Sequence, residues 1–173
     1  MINGIKFTLF TNNVRGINSC KYLIKKKIKP KNVIIASKNL NKDILKIFKK
    51  LKINYSILKN IDNKTALNIL KKTDMGLVCG FPYIFKKRHL KLVKYGFLNL
   101  HAGLLPKYKG GSPLNWQIIN NEKYFGISVI KLNKKIDDGD IVEEKKFRLL
   151  KRYRIEDLHR IANKNFGEML FKS

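Results

Sequence analysis

At 173 residues with 44% apolar side chains, the chain has the composition of one folded domain with a sizeable core, and not that of a disordered polymer. Thirty-eight Lys and Arg against twelve Asp and Glu give a formal charge of +26, an excess that ordinarily points to nucleic acid or another anionic surface. No apolar run approaches the ~20 residues of a membrane span and the N-terminus lacks a signal-peptide pattern, so a cytoplasmic protein without membrane contact is expected.

The lysines are spread over every segment and travel with many Ile and Asn, the trio that A/T-rich codons produce. Arginine, the better bidentate reader of phosphate, is sparse before Arg148, Arg152, Arg154 and Arg160. Compositional bias is therefore preferred over nucleic-acid binding as the source of the charge. Cys20 and Cys79 stand far apart in apolar surroundings, with no metal spacing and no disulfide framework.

In chain order, residues 5–11 form an apolar strand, residues 12–16 a loop and residues 17–27 a helix. This opening lacks the G-x-G-x-x-G run of a dinucleotide site. Val33, Ile34 and Ile35 mark a second strand at 32–36, and Ile44, Leu45 and Phe48 give helical spacing over 42–51. A short strand at 55–58 and a helix at 65–72 follow, then a buried strand at 75–79. Alternating strands and helices imply a mostly parallel, twisted sheet flanked by helices.

Residues 80–85 leave that strand through Gly80 and Pro82, where Phe81 reads as core and the loop backbone is exposed to a ligand. Residues 97–101 are the next strand, and Asn99 and His101, two apart, project side by side. Gly103 and Pro106 turn the chain into a loop containing Gly110, Gly111 and Ser112, a glycine-rich setting for a ligand at a strand end. Pro113 suits the first position of a helix with Ser112 as N-cap, and Trp116 and Ile119 share one face of it. A strand at 126–132, a tight turn at 133–140, a strand at 141–149 and an amphipathic helix at 155–171 complete the chain.

Asp137, Asp138 and Asp140 resemble the opening of a calcium loop, but its twelfth position holds Arg148 in place of Glu, so no metal is expected. His89 and His159 lie among basic residues on helices and read as surface or structural groups.

Asn-x-His at 99–101, Gly-Leu-Leu-Pro-Lys-Tyr-Lys-Gly at 103–110, Pro-Leu-Asn-Trp at 113–116 and Ile-Asp-Asp-Gly-Asp-Ile-Val at 136–142 together resemble the formyltransferase family. Those enzymes move a formyl group between 10-formyltetrahydrofolate and an amine, and the resemblance implies a single Rossmann-like catalytic domain over residues 1–173. It places the catalytic trio on Asn99, His101 and Asp137, with Asp137 following Asn99 by 38 positions. It places the folate pterin, recognised mainly by backbone, against Tyr83, Ile84 and Phe85 on one side and Leu132, Asn133 and Asp137 on the other. The amine substrate then falls to Gly110, Gly111, Ser112 and Pro113. Gly103 departs from the family, whose members often carry Ser there.

The chemistry asks for hydrogen-bond donors to the oxygen that gains negative charge and for a group that takes the proton of the attacking amine. Asn99 supplies the first; His101 donates when protonated or accepts when free. Asp137 sets the histidine tautomer or holds a relaying water. Three branches of the family differ in the amine. Absence of a Gly-Ser-rich phosphate loop after the first strand argues against glycinamide ribotide. Members acting on initiator methionyl-tRNA carry a further β-barrel domain, for which this chain has no room, so the amino group of a nucleotide-linked sugar is favoured and tRNA is the alternative. Sugar-modifying members usually continue into a dimer-forming segment beyond the last helix, which this sequence does not show. A basic nucleic-acid-binding module on the same scaffold is the reading outside enzymology.

Overall fold

The first strand is buried at all five positions, which requires cover on both faces of the sheet. The computed structural model describes residues 5–38, 40 and 42–173. Its elements run β1 (Phe7–Thr11), α1 (Val14–Lys25), β2 (Asn32–Ala36), α2 (Lys42–Lys50), β3 (Tyr55–Leu58), α3 (Lys64–Lys71), β4 (Met75–Cys79), α4 (Lys87–Leu90), β5 (Phe97–His101), α5 (Pro113–Ile119), β6 (Tyr124–Lys131), β7 (Ile141–Arg148) and α6 (Ile155–Lys172).

All seven strands belong to one sheet in the order β3-β2-β1-β4-β5-β6-β7. The first five pair in parallel, and β6 and β7 add to the β5 edge antiparallel. The α/β class and the mostly parallel sheet expected from the alternating patterns are what the chain adopts. The strand order reverses direction between β1 and β4, and a crevice at the carboxyl ends of strands is the usual ligand position in such a sheet.

The opening helix starts earlier than its sequence suggested. Gly16 and the preceding asparagines read as a loop, yet α1 begins at Val14 because the Asn13 side chain accepts the amides of Arg15 and Gly16. That cap stabilises by about 1 kcal/mol, close to the ~1 kcal/mol that a glycine costs inside a helix. Gly16 is there for packing: a Cβ would lie 2.0 Å from the Thr11 hydroxyl. At α5 the opposite correction applies. Ser112 occupies the N-cap position in the left-handed region (φ 53°) and makes no side-chain cap bond, so Pro113 alone carries the helix-start signal.

Two cores sandwich the sheet. One packs Leu9, Val33, Leu98 and Leu100 against α1, α2, α5 and α6; the other packs Phe10, Ile34, Val78 and Phe97 against α3 and the 81–93 segment. Helices α1 and α6 approach closely at Gly167, where a Cβ would meet that of Tyr22 at 2.5 Å. Most ion pairs involve exposed lysines, where water screens the attraction, whereas each buried Phe or Leu contributes about 1.5–3 kcal/mol. The core holds the fold, and the positive charge is a solvated coat. Among the described residues no helix is long and apolar enough to cross a membrane.

Candidate active site

Strand alternation puts Phe97, Asn99 and His101 on one face of β5, with Phe97 in the core and the two polar residues beyond it toward the carboxyl end. His101 is 5% exposed. Strand β6 runs antiparallel to β5, so its end at Lys131 lies beside Leu98, at the other end of the central strand. The 132–140 loop must therefore fold back to deliver Asp137, which it does with Asp137 at φ 47°, a region that Asp tolerates better than most residues. Gly139 makes the fold-back possible, because a Cβ there would strike the Lys131 carbonyl at 1.7 Å.

Three side chains meet. Asn99 Nδ2 donates to Asp137 Oδ1 at 3.4 Å, and His101 Nδ1 faces Asp137 Oδ2 at 3.3 Å. The same Oδ2 accepts the Gly110 amide at 3.0 Å, and Lys109 pairs with Asp138, so the glycine-rich loop and the 132–140 loop are stitched together. The Lys109 bond, followed by Lys109's charge, holds the Asp138 carboxyl below the usual range.

His101 Nε2 is bonded to the Tyr108 carbonyl. A carbonyl only accepts, so Nε2 carries the proton and the Nδ1 lone pair is what neutral His101 presents toward Asp137. The tautomer is thus fixed by a backbone group, where the sequence reading gave Asp137 either that role or the holding of a relaying water. A protonated His101 would donate from both nitrogens, to the carbonyl and to the carboxylate.

Two clefts flank the trio. The first, about 210 Å³, is lined by Tyr83, Ile84 and Phe85 from the loop after β4, and by Leu132, Asn133 and Asp137 with their neighbours from the opposite loop. Phe85 is a core residue packed on Phe97 at 4.5 Å between ring centres, whereas the Ile84 side chain is exposed. Among the described residues no group bonds the backbone amides of Tyr83, Ile84 or Phe85, which leaves these donors for a ligand. Behind this loop, Lys86 N–H donates to His89 Nδ1 at 3.0 Å and His89 Nε2 bonds Asp62, so His89 is fully buried and hydrogen-bonded through both ring nitrogens, the structural of its two expected roles.

The second cleft, about 480 Å³, is lined by Gly110, Gly111, Ser112 and Pro113, by His101, and by Arg15 and His159. Phe81, Asn99 and Asp137 line both clefts. Arg15 was not singled out from the sequence, and His159 read there as a surface or structural group. They come from α1 and α6, whose close packing no local pattern announces; the signal available was an arginine in a stretch where lysine is otherwise the basic residue. Arg15 lies over the Phe166 ring at 5.0 Å and donates to Asn163 at 3.4 Å. Partial burial, then the Arg15 charge, holds the His159 imidazole below its usual range.

Neither cysteine is a nucleophile here: both are buried, and burial pushes Cys20 up to about 12 and Cys79 higher. Gly103 also gains a reason. A Cβ at this position would sit 2.8 Å from both His101 Nε2 and the Tyr108 carbonyl oxygen.

A folded-back carboxylate, an amide and a tautomer-fixed imidazole thus meet where two clefts adjoin. A family model of formyl transferases matches residues 22–172, and the chain belongs to that family. Methionyl-tRNA formyltransferase of Clostridium tetani is 37% identical over 114 residues, which is 65% of this chain and 37% of that protein. The chain thus spans less than half the length of the curated relatives it matches. Phosphoribosylglycinamide formyltransferase from Streptococcus pneumoniae TIGR4 superposes with a TM-score of 0.81 at 14% identity, over 97% of this chain and 98% of that one. WlaRD, a sugar 3N-formyl transferase solved in the presence of dTDP and 5-N-formyl-THF, gives 0.74 at 20% identity, over 97% and 61%. At such identities these likenesses establish the fold.

Proposed function

We propose that the chain, acting over residues 1–173 as one catalytic domain, transfers a formyl group from 10-formyltetrahydrofolate to a primary amine. The observation that carries this reading is that Asn99 and Asp137 line both clefts and His101 stands against them. The pterin is assigned to the cleft between Tyr83–Phe85 and the 132–137 loop, whose free backbone amides suit a flat heterocycle rich in acceptors and donors. The amine is assigned to the cleft of Gly110, Gly111, Ser112 and Pro113.

In this arrangement Asn99 donates from Nδ2 to the formyl oxygen as negative charge develops there. His101 Nδ1 accepts the proton that the amine loses as its nitrogen bonds to the formyl carbon. Asp137 stabilises the resulting imidazolium. His101 then returns the proton from Nδ1 to the folate nitrogen as its bond to the formyl carbon breaks. The proton count closes, and no covalent enzyme intermediate is required.

Arg15 and His159 in the amine cleft favour a substrate carried on phosphate. Methionyl-tRNA is supported by the 37% identity to the C. tetani enzyme, and a nucleotide-linked amino sugar by the fold likeness to WlaRD over nearly the whole chain. A direct assay with 10-formyltetrahydrofolate against methionyl-tRNA and against a panel of nucleotide-linked amino sugars tests both. Formylation of either supports formyl transfer and selects the amine; transfer to none by a well-folded protein rejects the reading.

A further inference from the structure

His101 is oriented by a carbonyl, and that carbonyl belongs to a residue whose side chain is itself held. The Tyr108 ring is 6% exposed. Its hydroxyl donates to Glu122 Oε1 and receives a hydrogen bond from Asn120 Nδ2 at 3.1 Å. The same Oε1 takes the Lys107 ammonium, so one carboxylate grips two consecutive residues of the loop. Tyr108 N–H donates to the Leu104 carbonyl at 2.9 Å, which closes the turn from the other side.

We propose that Glu122, in the turn between α5 and β6, is a positioning residue for His101: through the Tyr108 phenol it fixes the Tyr108 carbonyl on His101 Nε2, and so aims the Nδ1 lone pair at the reaction centre. The proposal rests on the reading of His101 as the base. An ionised acceptor makes the phenol bond roughly twice as strong as a neutral one would be; the Lys107 bond, then that of Tyr108, holds Glu122 below the usual carboxyl range. The geometry also has no slack. A Cβ on Gly103 would press at 2.8 Å on both ends of the His101–Tyr108 bond, and Gly103 is pinned by the Ser128 hydroxyl on its carbonyl at 2.8 Å. A displaced Tyr108 carbonyl would release Nε2, and the neutral ring would then populate both tautomers, one of them with a proton on the nitrogen that must accept.

The test is nitrogen-15 NMR of the histidine rings, with His101 assigned by its loss in His101→Ala, alongside steady-state kinetics. In the parent, His101 should show the single Nε2–H tautomer. Glu122→Ala should show mixed tautomers and a kcat lower by roughly 10- to 100-fold, with KM for both substrates changed by less than about threefold. Glu122→Gln keeps an acceptor oxygen and should restore the parental spectrum and most of kcat. Tyr108→Phe keeps the ring and should behave as Glu122→Ala, which carries the test if that variant is too unstable. A parental His101 spectrum in both Glu122→Ala and Tyr108→Phe would overturn the proposal, as would parental kcat in both. Should the parent transfer no formyl group, the function fails while the NMR arm still decides the positioning.

Discussion

The two nitrogens of His101 have unequal neighbours: Nε2 meets a carbonyl that can only accept, and Nδ1 meets the Asp137 carboxylate at 3.3 Å. On the proposed mechanism, proton traffic is thereby confined to the Nδ1 edge of the ring, which faces Asp137, a residue that lines both clefts. His101→Ala should lower kcat by ~10²–10⁴-fold, and Asn99→Ala by ~10²–10³-fold. Both variants should keep a cooperative thermal transition, since neither residue is part of a hydrophobic cluster. Turnover of His101→Ala within threefold of the parent would remove the imidazole from the mechanism.

Asp137 has two tasks that different substitutions separate. Asp137→Asn keeps an oxygen for the Gly110 amide and tolerates the positive φ, but loses the charge beside Nδ1. It should lower kcat while leaving the amine KM near the parental value. Asp137→Ala also frees Gly110 and should raise that KM. Identical kinetics for the two variants would show that the charge and the loop anchor are not distinct.

Folate binding is expected to depend on backbone more than on side chains. Tyr83→Ala loses an edge contact with Phe81 at 5.3 Å and a 3.4 Å bond to Leu58, and should weaken binding modestly. Ile84→Pro removes an amide while replacing only an exposed side chain, and should be far worse. Calorimetry with a non-hydrolysable folate analogue reads both, and equal affinity of the two variants and the parent would count against the pterin placement.

The Asp62 tether supplies a pH test. The Arg88 bond first, then the buried His89, holds this carboxyl below its usual range. A depressed carboxyl stabilises the fold above the unfolded value, about 4, and that contribution disappears as pH falls through the lower folded value. Asp62→Asn should therefore lower Tm near neutrality, with the gap to the parent closing in acid below about pH 4. A gap constant through that range would mean that the charge of Asp62 contributes nothing.

Arg15 should matter to one substrate only. Arg15→Met should raise the amine KM, by about tenfold if one charge-assisted bond to phosphate is lost, and leave folate affinity unchanged. Arg15→Lys should not restore it, because the guanidinium lies over the Phe166 ring at 5.0 Å while bonding Asn163, a pairing that an ammonium does not reproduce. A matching loss of folate affinity would show that the variant disturbs the sheet and not the amine cleft.

The meeting of Asn99, His101 and Asp137, the proposed catalytic trio, was legible because these residues obey local rules: two sit at period two on one strand, and the third lies in a turn dense in Asp and Gly. Three other features were not. Gly16 looked like a loop residue because the sequence does not reveal that a strand hydroxyl occupies the space of its missing side chain. His89 could be read as either a surface or a structural group because its partner, Asp62, lies in another loop. The bond from Tyr108 to His101 is made by a backbone carbonyl, which every residue type has. What the sequence hides is contact made by atoms common to all residues, or across elements packed from far apart in the chain.

That, among the described residues, only Phe81, Asn99 and Asp137 belong to both clefts also bears on how such a scaffold changes hands. On the proposed assignment, residues that would recognise the carrier of the amine, such as Arg15, His159 and Ser112, can drift without touching the proposed donor pocket. A lineage that keeps those three shared positions and His101 can exchange one acceptor for another while still drawing on the same one-carbon supply. Directed evolution toward a new amine is best confined to the amine side, where libraries leave the donor untouched.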